Sequence, residues 1–216
     1  WAADFTKAPS YMNANINTEN NAHSVDGNGT AVGYTQYTVD GELKNTWAVG
    51  YEEGIYVGYR YYETRAYEEA KAGNEGWWAE NVVYPFGYGL SYTSFEWEVT
   101  PATAADSAVT KADELAFNVK VTNTGDAPGK DVVQLYYTAP YGVEETGNET
   151  VIEKSYVVLG DFVKTGLLQP GESQEVTVSI QVKDMASYDN VTDRTYVLDA
   201  GTYGVKIAGC AHFGCY

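Results

Sequence analysis

The sequence predicts a mainly β protein, a two-sheet sandwich from about Phe95 onward, preceded by an irregular, aromatic-rich segment with one short helix. Three observations carry this expectation. Apolar residues recur at every second position in several short runs, the period of half-buried strands. Clusters of Gly, Pro, Asn and Asp separate those runs and turn the chain. Helical spacing is almost absent. With 44% hydrophobic residues among 216, a sizeable core is available.

The first stretch, residues 1–45, is polar, with Asn13, Asn15, Asn17, Asn20 and Asn21 close together. Within it only Tyr34 to Val39 reads as a short strand. An excursion over a larger body and a partly disordered terminus both remain open there. From Trp47 to Phe95 aromatic density rises. Glu53-Gly-Ile-Tyr-Val-Gly-Tyr-Arg-Tyr-Tyr-Glu63 mixes β-branched and aromatic residues with Gly54 and Gly58, as an extended segment packed on another surface would. Glu63 to Ala72 follows as the helix, with Thr64 as N-cap and Gly73 as stop. Trp77 and Trp78 then sit on a Gly-bounded loop. Tyr84-Pro-Phe-Gly-Tyr-Gly-Leu-Ser-Tyr92 is a tight loop, turned by Pro85, Gly87 and Gly89, that presents Tyr84, Phe86, Tyr88 and Tyr92.

Beyond Phe95 the strands follow in order. Leu115, Phe117, Val119 and Val121 alternate with polar residues, and Asn123 to Gly129 is a turn cluster. Asp131 to Tyr137 and Tyr156 to Val163 are apolar runs. The Pro-Gly turn Gln169-Pro-Gly-Glu172 leads into Val176, Val178, Ile180 and Val182. Thr195 to Leu198, the turn Asp199-Ala-Gly201, and then Tyr203, Val205 and Ile207 complete the set. Short strands joined by turn chemistry describe a sandwich of immunoglobulin or fibronectin type III kind.

Thirty acidic residues against 13 basic ones leave a net charge of -17, which repels phosphate backbones and anionic lipid surfaces. Nucleic acid and membrane are therefore not expected partners, whereas neutral sugars carry no such penalty. Apolar runs long enough to cross a bilayer and a secretory signal are both missing, so the expectation is a soluble chain, cytoplasmic or secreted. Cys210, His212 and Cys215 cannot complete a zinc tetrahedron alone, so two free thiols or a local disulfide are expected and no metal or cofactor. His23 and His212 lie in unrelated segments without a nucleophile pattern. The Gly87-x-Gly89 pair precedes no amphipathic helix and does not read as a phosphate loop. Asp184, Asp189 and Asp193 lack the spacing of a calcium loop and read as a solvated turn. Asn28, Asn148 and Asn190 each open an Asn-x-Thr sequon, which matters only in a eukaryotic secretory host.

Three features together resemble glycoside hydrolase family 3, the family of many bacterial and fungal β-glucosidases. They are the Glu53–Glu63 segment, the Tyr84–Phe95 segment, and a sandwich with Val121-Thr-Asn-Thr-Gly125, Leu159-Gly-Asp-Phe162, Leu168-Gln-Pro-Gly-Glu172 and Ser187-Tyr-Asp189 in order. The resemblance covers about Trp47 to Ile207. It implies that 1–81 is the terminal part of an α/β sandwich domain with its exit segment, 82–94 a junction loop, and 95–216 a fibronectin type III-like domain. It also implies that the partners are a catalytic barrel and the rest of that α/β domain. Thr195 to Tyr203 and Ala211-His212 resemble members whose barrel follows the sandwich.

Family members are retaining enzymes with two carboxyl groups about 5–5.5 Å apart. The family's nucleophile motif, Asp followed by Trp, has no match here, and neither has the acid/base loop. Glu52, Glu53 and Glu63 invite a catalytic reading, but backbone hydrogen bonding or simple exposure explains them better. No catalytic residue is expected, and the chain alone is expected to be inactive. The expected role is a noncatalytic accessory domain in which Arg60, with Tyr84, Phe86, Tyr88 and Tyr92, locks the sandwich to its partners. The alternatives are a carbohydrate-binding module stacking sugars on Trp77 and Trp78, and an adhesion-type spacer.

Overall fold

The computed structural model describes residues 1–4, 7, 35–46, 54–103, 107–142 and 152–212, with only the backbone described over most of 35–46. Glu52, Glu53, His23, Asn28, Asn148 and Cys215 lie outside these residues, as does most of the Asn-rich stretch. The chain divides into two compact units, Trp1–Tyr84 and Pro85–Tyr216.

In the first unit β1 (Thr35–Val39) pairs antiparallel with β2 (Glu42–Thr46). Asp40 and Gly41 both adopt positive φ, at 51° and 82°, which is the geometry of an Asp-Gly hairpin turn. That dipeptide is the signal by which β2 could have been anticipated. Helix α1 (Tyr59–Lys71) starts earlier than the sequence expectation. In place of the expected extended segment, Gly54 and Ile55 form a turn, and Gly58, at φ 62°, serves as N-cap, so Tyr59-Arg-Tyr-Tyr62 is helical and Thr64 lies buried inside the helix. Trp77 and Trp78 stand on a one-turn helix, α2 (Trp77–Asn81), rather than on a loop. The amino end closes onto its far side, with Ala3 N donating to Asn81 O at 2.8 Å and Val83 N to Trp1 O at 2.8 Å.

The described residues of this unit bury few apolar side chains. Among its described residues the fully buried ones are Glu63, Thr64, Asn81 and Val82, three polar against one apolar. Four tyrosines and Arg60 along α1 stay half-buried. An apolar stripe closing on a core is what stabilises a surface helix, and α1 presents none.

The second unit is a sandwich of two antiparallel three-stranded sheets. One sheet runs β3-β4-β7, from Phe95–Pro101, Glu114–Asn123 and Ser173–Gln181; the other runs β10-β5-β6, from Gly204–Ala208, Val132–Thr138 and Val158–Lys164. A small ladder pairs β8 (Ser187–Tyr188) with β9 (Tyr196–Val197), after a 3-10 turn at Val182–Met185. The fold is mainly β, as the alternating runs require. Val119 and Val121 from β4, Val133 and Leu135 from β5, and Val176, Val178 and Ile180 from β7 meet in one core with Leu168 and Met185.

Several residues that sequence patterning cannot interpret acquire roles here. Gly160 on β6 leaves no room for a Cβ, which would lie 2.8 Å from Ile180 Cδ1 and 2.9 Å from Leu135 Cδ2. Beside it Asp161 reaches across to the other sheet, accepting the Ser179 N–H at 2.9 Å. Asn123 is fully buried with all four side-chain hydrogen bonds made. Its Nδ2 donates to Ala127 O (2.8 Å) and Leu168 O (2.9 Å), while its Oδ1 accepts from Thr93 Oγ1 (2.5 Å) and Gly125 N (3.1 Å). Trp97 Nε1 donates to Asp131 Oδ2 at 2.7 Å.

Asp189 departs from the solvated-turn reading of the acidic stretch: it is buried, at 7% exposure, because its carboxylate caps a tight turn of backbone donors. Its carboxylate accepts the backbone N–H groups of Val191, Thr192 and Asp193 at 2.9, 2.9 and 3.1 Å. Those donors, Thr192 first and then Asp193 and Val191, hold its pKa below the usual aspartate value. A depressed folded pKa means stabilisation that is present above the unfolded pKa and lost as pH falls through the folded one. The melting-temperature gap between wild type and Asp189→Asn is therefore expected to be widest near neutrality and to narrow below about pH 4. A gap that stayed constant down to the acid limit would contradict this.

Candidate functional site

Strand β5 breaks the alternation rule. Val133, Leu135 and Tyr137 face the core, yet the intervening Gln134 and Tyr136 are also buried, at 5% and 1% exposure. Burial on both faces is what a strand shows when both sides of its sheet are covered. Part of the second cover is the segment that begins the unit. Tyr88 N donates to Pro85 O at 3.2 Å, closing a turn in which Gly87 takes φ 92°. The turn is stitched to the tail following β10, with Ala211 N donating to Phe86 O at 2.9 Å.

Gly87 is there because nothing larger fits. A Cβ would stand 2.6 Å from Gly209 O, 2.9 Å from Cys210 Cα and 2.9 Å from Gln134 Nε2. Gln134 Nε2 in turn donates to Gly209 O at 2.6 Å, and Tyr136 Oη donates to Gln134 Oε1. The segment is fastened again at its far end, where Thr93 meets Asn123 and Thr124 N donates to Ser94 O at 2.8 Å. Gly125 and Gly129 allow this approach, since a Cβ on either would lie within 2.5 Å of Thr93. The 85–94 backbone is thus pinned at both ends to the sandwich.

Its side chains are not buried with it. Phe86 is 45% exposed, Tyr88 51%, Leu90 90% and Tyr92 101%. Four large apolar or aromatic side chains on one anchored segment form an exposed patch of the kind that marks an interaction surface. Holding the backbone in place beforehand lowers the entropy cost of a partner binding it. In the first unit, Tyr84 is 45% exposed and Trp1 84%. Arg60 is half-buried in the first turn of α1. Trp77 and Trp78 are half-buried, and the Trp77 ring packs edge-to-face on Tyr61 at 6.4 Å. Glu63 lies buried on α1.

The segment is fastened by Gln134 and Thr93, to which sequence reasoning gave no role, and by Asn123, Gly125 and Gly129, which it read only as parts of a turn cluster. A polar Gln inside the apolar run 131–137 was the one available hint for the covered outer face. A second overlooked feature is Lys154, which pairs with Asp199 and donates to Pro140 O at 2.8 Å. Cys210 is disulfide-bonded, so its sulfur is not a thiolate ligand and the thiol alternative does not apply to it. No described helix is long and apolar enough to cross a membrane.

Comparison with known proteins fits this geometry. A family model described as a fibronectin type III-like domain matches residues 131–210. β-Glucosidase A of Butyrivibrio fibrisolvens is 47% identical over 167 residues, which is 72% of this chain and 18% of that protein. A β-glucosidase of Ruminococcus albus is 36% identical over 78% of this chain and 15% of its own length. Among solved structures, a β-glucosidase from Paenibacillus barengoltzii aligns with a TM-score of 0.60 at 42% identity, covering 75% of this chain and 16% of that one. β-Glucosidase 3B from Thermotoga neapolitana aligns with a TM-score of 0.55 at 38% identity, covering 76% and 19%. This chain spans less than a fifth of the length of these relatives.

Proposed function

Starting from a chain that carries the fibronectin type III-like domain of family 3 glycoside hydrolases, we propose that it serves as the noncatalytic accessory part of such an enzyme. The parent enzyme would hydrolyse β-glucosides or related glycosides by the retaining route. The observation that carries the reading is the pinned segment with its exposed Phe86, Tyr88, Leu90 and Tyr92. A self-sufficient spacer has a complete core and no reason to hold such a patch out to water. Among the described residues of the first unit three of the four buried ones are polar, and this supports the same reading, because such a unit resembles the margin of a larger body.

In this account the exposed side chains dock onto the parent's α/β and barrel domains, and unit 1 completes the α/β domain. The sequence offers no nucleophile motif, so the chemistry belongs to those other domains. The test uses a full-length relative with the same segment. Replacing the residues equivalent to Phe86 and Tyr88 with Ala is expected to lower its melting temperature by several degrees, since each buried aromatic contact is worth about 1–3 kcal/mol. The 216-residue chain assayed in parallel should not turn over a p-nitrophenyl β-glucoside. An unchanged melting temperature would remove the docking reading, and turnover by the chain alone would remove the noncatalytic one.

A further inference from the structure

We propose that a cavity at the end of the β5–β10 ladder is a binding site for a single neutral sugar ring. The cavity measures about 430 Å³, within the lower part of the range found for small-molecule sites. Its lining includes Tyr136, Thr138, Tyr156, Thr202, Gly204 and Lys206. Thr138 and Gly204 are register partners, as are Tyr136 and Lys206. The space opens where Gly204 has no side chain to fill it, and a Cβ there would meet only Thr138 Cβ, at 3.8 Å.

The chemistry of the lining fits one ligand class. Tyr156, the partly exposed tyrosine of the wall, offers ring surface to the C–H face of a pyranose, and the Thr138 and Thr202 hydroxyls can both donate and accept hydrogen bonds, while Tyr136 lies buried behind them. Lys206 does not make the cavity an anion site. Its ammonium donates to Ala211 O and, at 3.2 Å, to His212 O, and it sits 5.2 Å from the Tyr136 ring centroid. Two carbonyl dipoles and an aromatic face already balance that charge. The net charge of -17 further disfavours an anionic ligand at long range.

The walls are also fixed in advance. Tyr136 is held through its hydroxyl by Gln134, and the Tyr156 ring is braced edge-to-face by Tyr141 at 5.7 Å. Two residues before Tyr156, Lys154 is locked to Asp199 and to Pro140 O. A binding site built on strands with such supports loses little entropy when occupied. Through Tyr136 and Gln134 this site adjoins the strand face on which the docking segment is anchored, but none of the docking side chains lines it and it requires no catalytic partner.

The 216-residue chain, isotope-labelled, is titrated with methyl β-glucoside while backbone amide shifts are followed. A saturable shift centred on Thr138 and Gly204 is expected, with a dissociation constant on the order of millimolar for so small a ligand. Gly204→Val fills the cavity and should weaken binding about tenfold or more, and Thr202→Val should weaken it several-fold with the fold intact. Should Gly204→Val not fold, Thr202→Val carries the test. The proposal is overturned by no saturable shift at about ten times the expected constant. It is equally overturned by binding that folded Thr202→Val or Gly204→Val variants leave unchanged, or by shifts centred on Trp77 and Trp78. Tighter binding of glucuronate than of the neutral glucoside would also overturn it, because the site would then recognise charge.

Discussion

Lys154→Met is expected to lose about 3–5 kcal/mol of stability, read as a lowered urea midpoint, because it strands a buried carboxylate. The Lys154 side chain is 5% exposed and that of Asp199 12%, so water can take over the role of the missing partner only in part. Lys154 also donates to Pro140 O, and Pro140 is itself fully buried. Nearby, Tyr203 donates to Asp199 O at 3.0 Å, and its phenol is pushed up to about 12, first by burial and then by the Asp199 charge. Removing both charges, in Lys154→Met with Asp199→Leu, should restore much of the loss. A buried pair costs far more to halve than to replace with apolar groups. A loss below about 1 kcal/mol for the single variant would mean the pair behaves as an exposed one.

Gly87→Ala should be nearly as damaging, at about 2–5 kcal/mol, the sum of a strained positive φ and an overpacked contact. The atoms a methyl would strike are the Gly209 carbonyl and Cys210 Cα, both backbone, and Gln134 Nε2, which is held by its own hydrogen bond to Gly209 O. Gly89 is the internal control. A Cβ there meets nothing within 4 Å, so Gly89→Ala should stay within about 0.5 kcal/mol of wild type. Hydrogen exchange at the Ala211 amide gives the mechanism, since lifting the Phe86 turn breaks its bond to that N–H. Equal effects of the two substitutions, or an unaltered Ala211 amide in Gly87→Ala, would contradict the clamp.

Much of the sandwich was legible because its strands obey a period of two. Val119, Val121, Val176, Val178 and Ile180 sit in the core where alternation places them. The hairpin partner β2 was missed although Asp40-Gly41 announces it, because Glu42 to Thr46 lacks an alternating apolar face. The start of α1 was misplaced for a different reason. Tyr59-Arg-Tyr-Tyr62 has aromatic, strand-like composition, and only the backbone state of Gly58 reveals where the helix begins. The covered outer face of β5 was hidden because it depends on contacts between residues far apart in sequence. Gln134, Gly87 and Gly209 mean little singly and lock together only once folded. The exposed Phe86, Tyr88 and Tyr92 were recognisable as a group, but not the way their backbone is fastened.

That fastening has a consequence for how the chain is made. The strap at 85–94 cannot settle until Gly209 and Ala211 exist, and these lie near the end of the described residues. Ribosomes add roughly 5–20 residues each second, so the strap waits on the order of ten seconds for the backbone that receives it. During that interval Gln134 and Tyr136 lack part of their cover, and the segment bearing Phe86 and Tyr88 lacks its anchor at the Phe86 end. The tail that follows β10 is therefore what completes the strap. The backbone beneath the aromatic face becomes fixed only after the sandwich that carries it has closed.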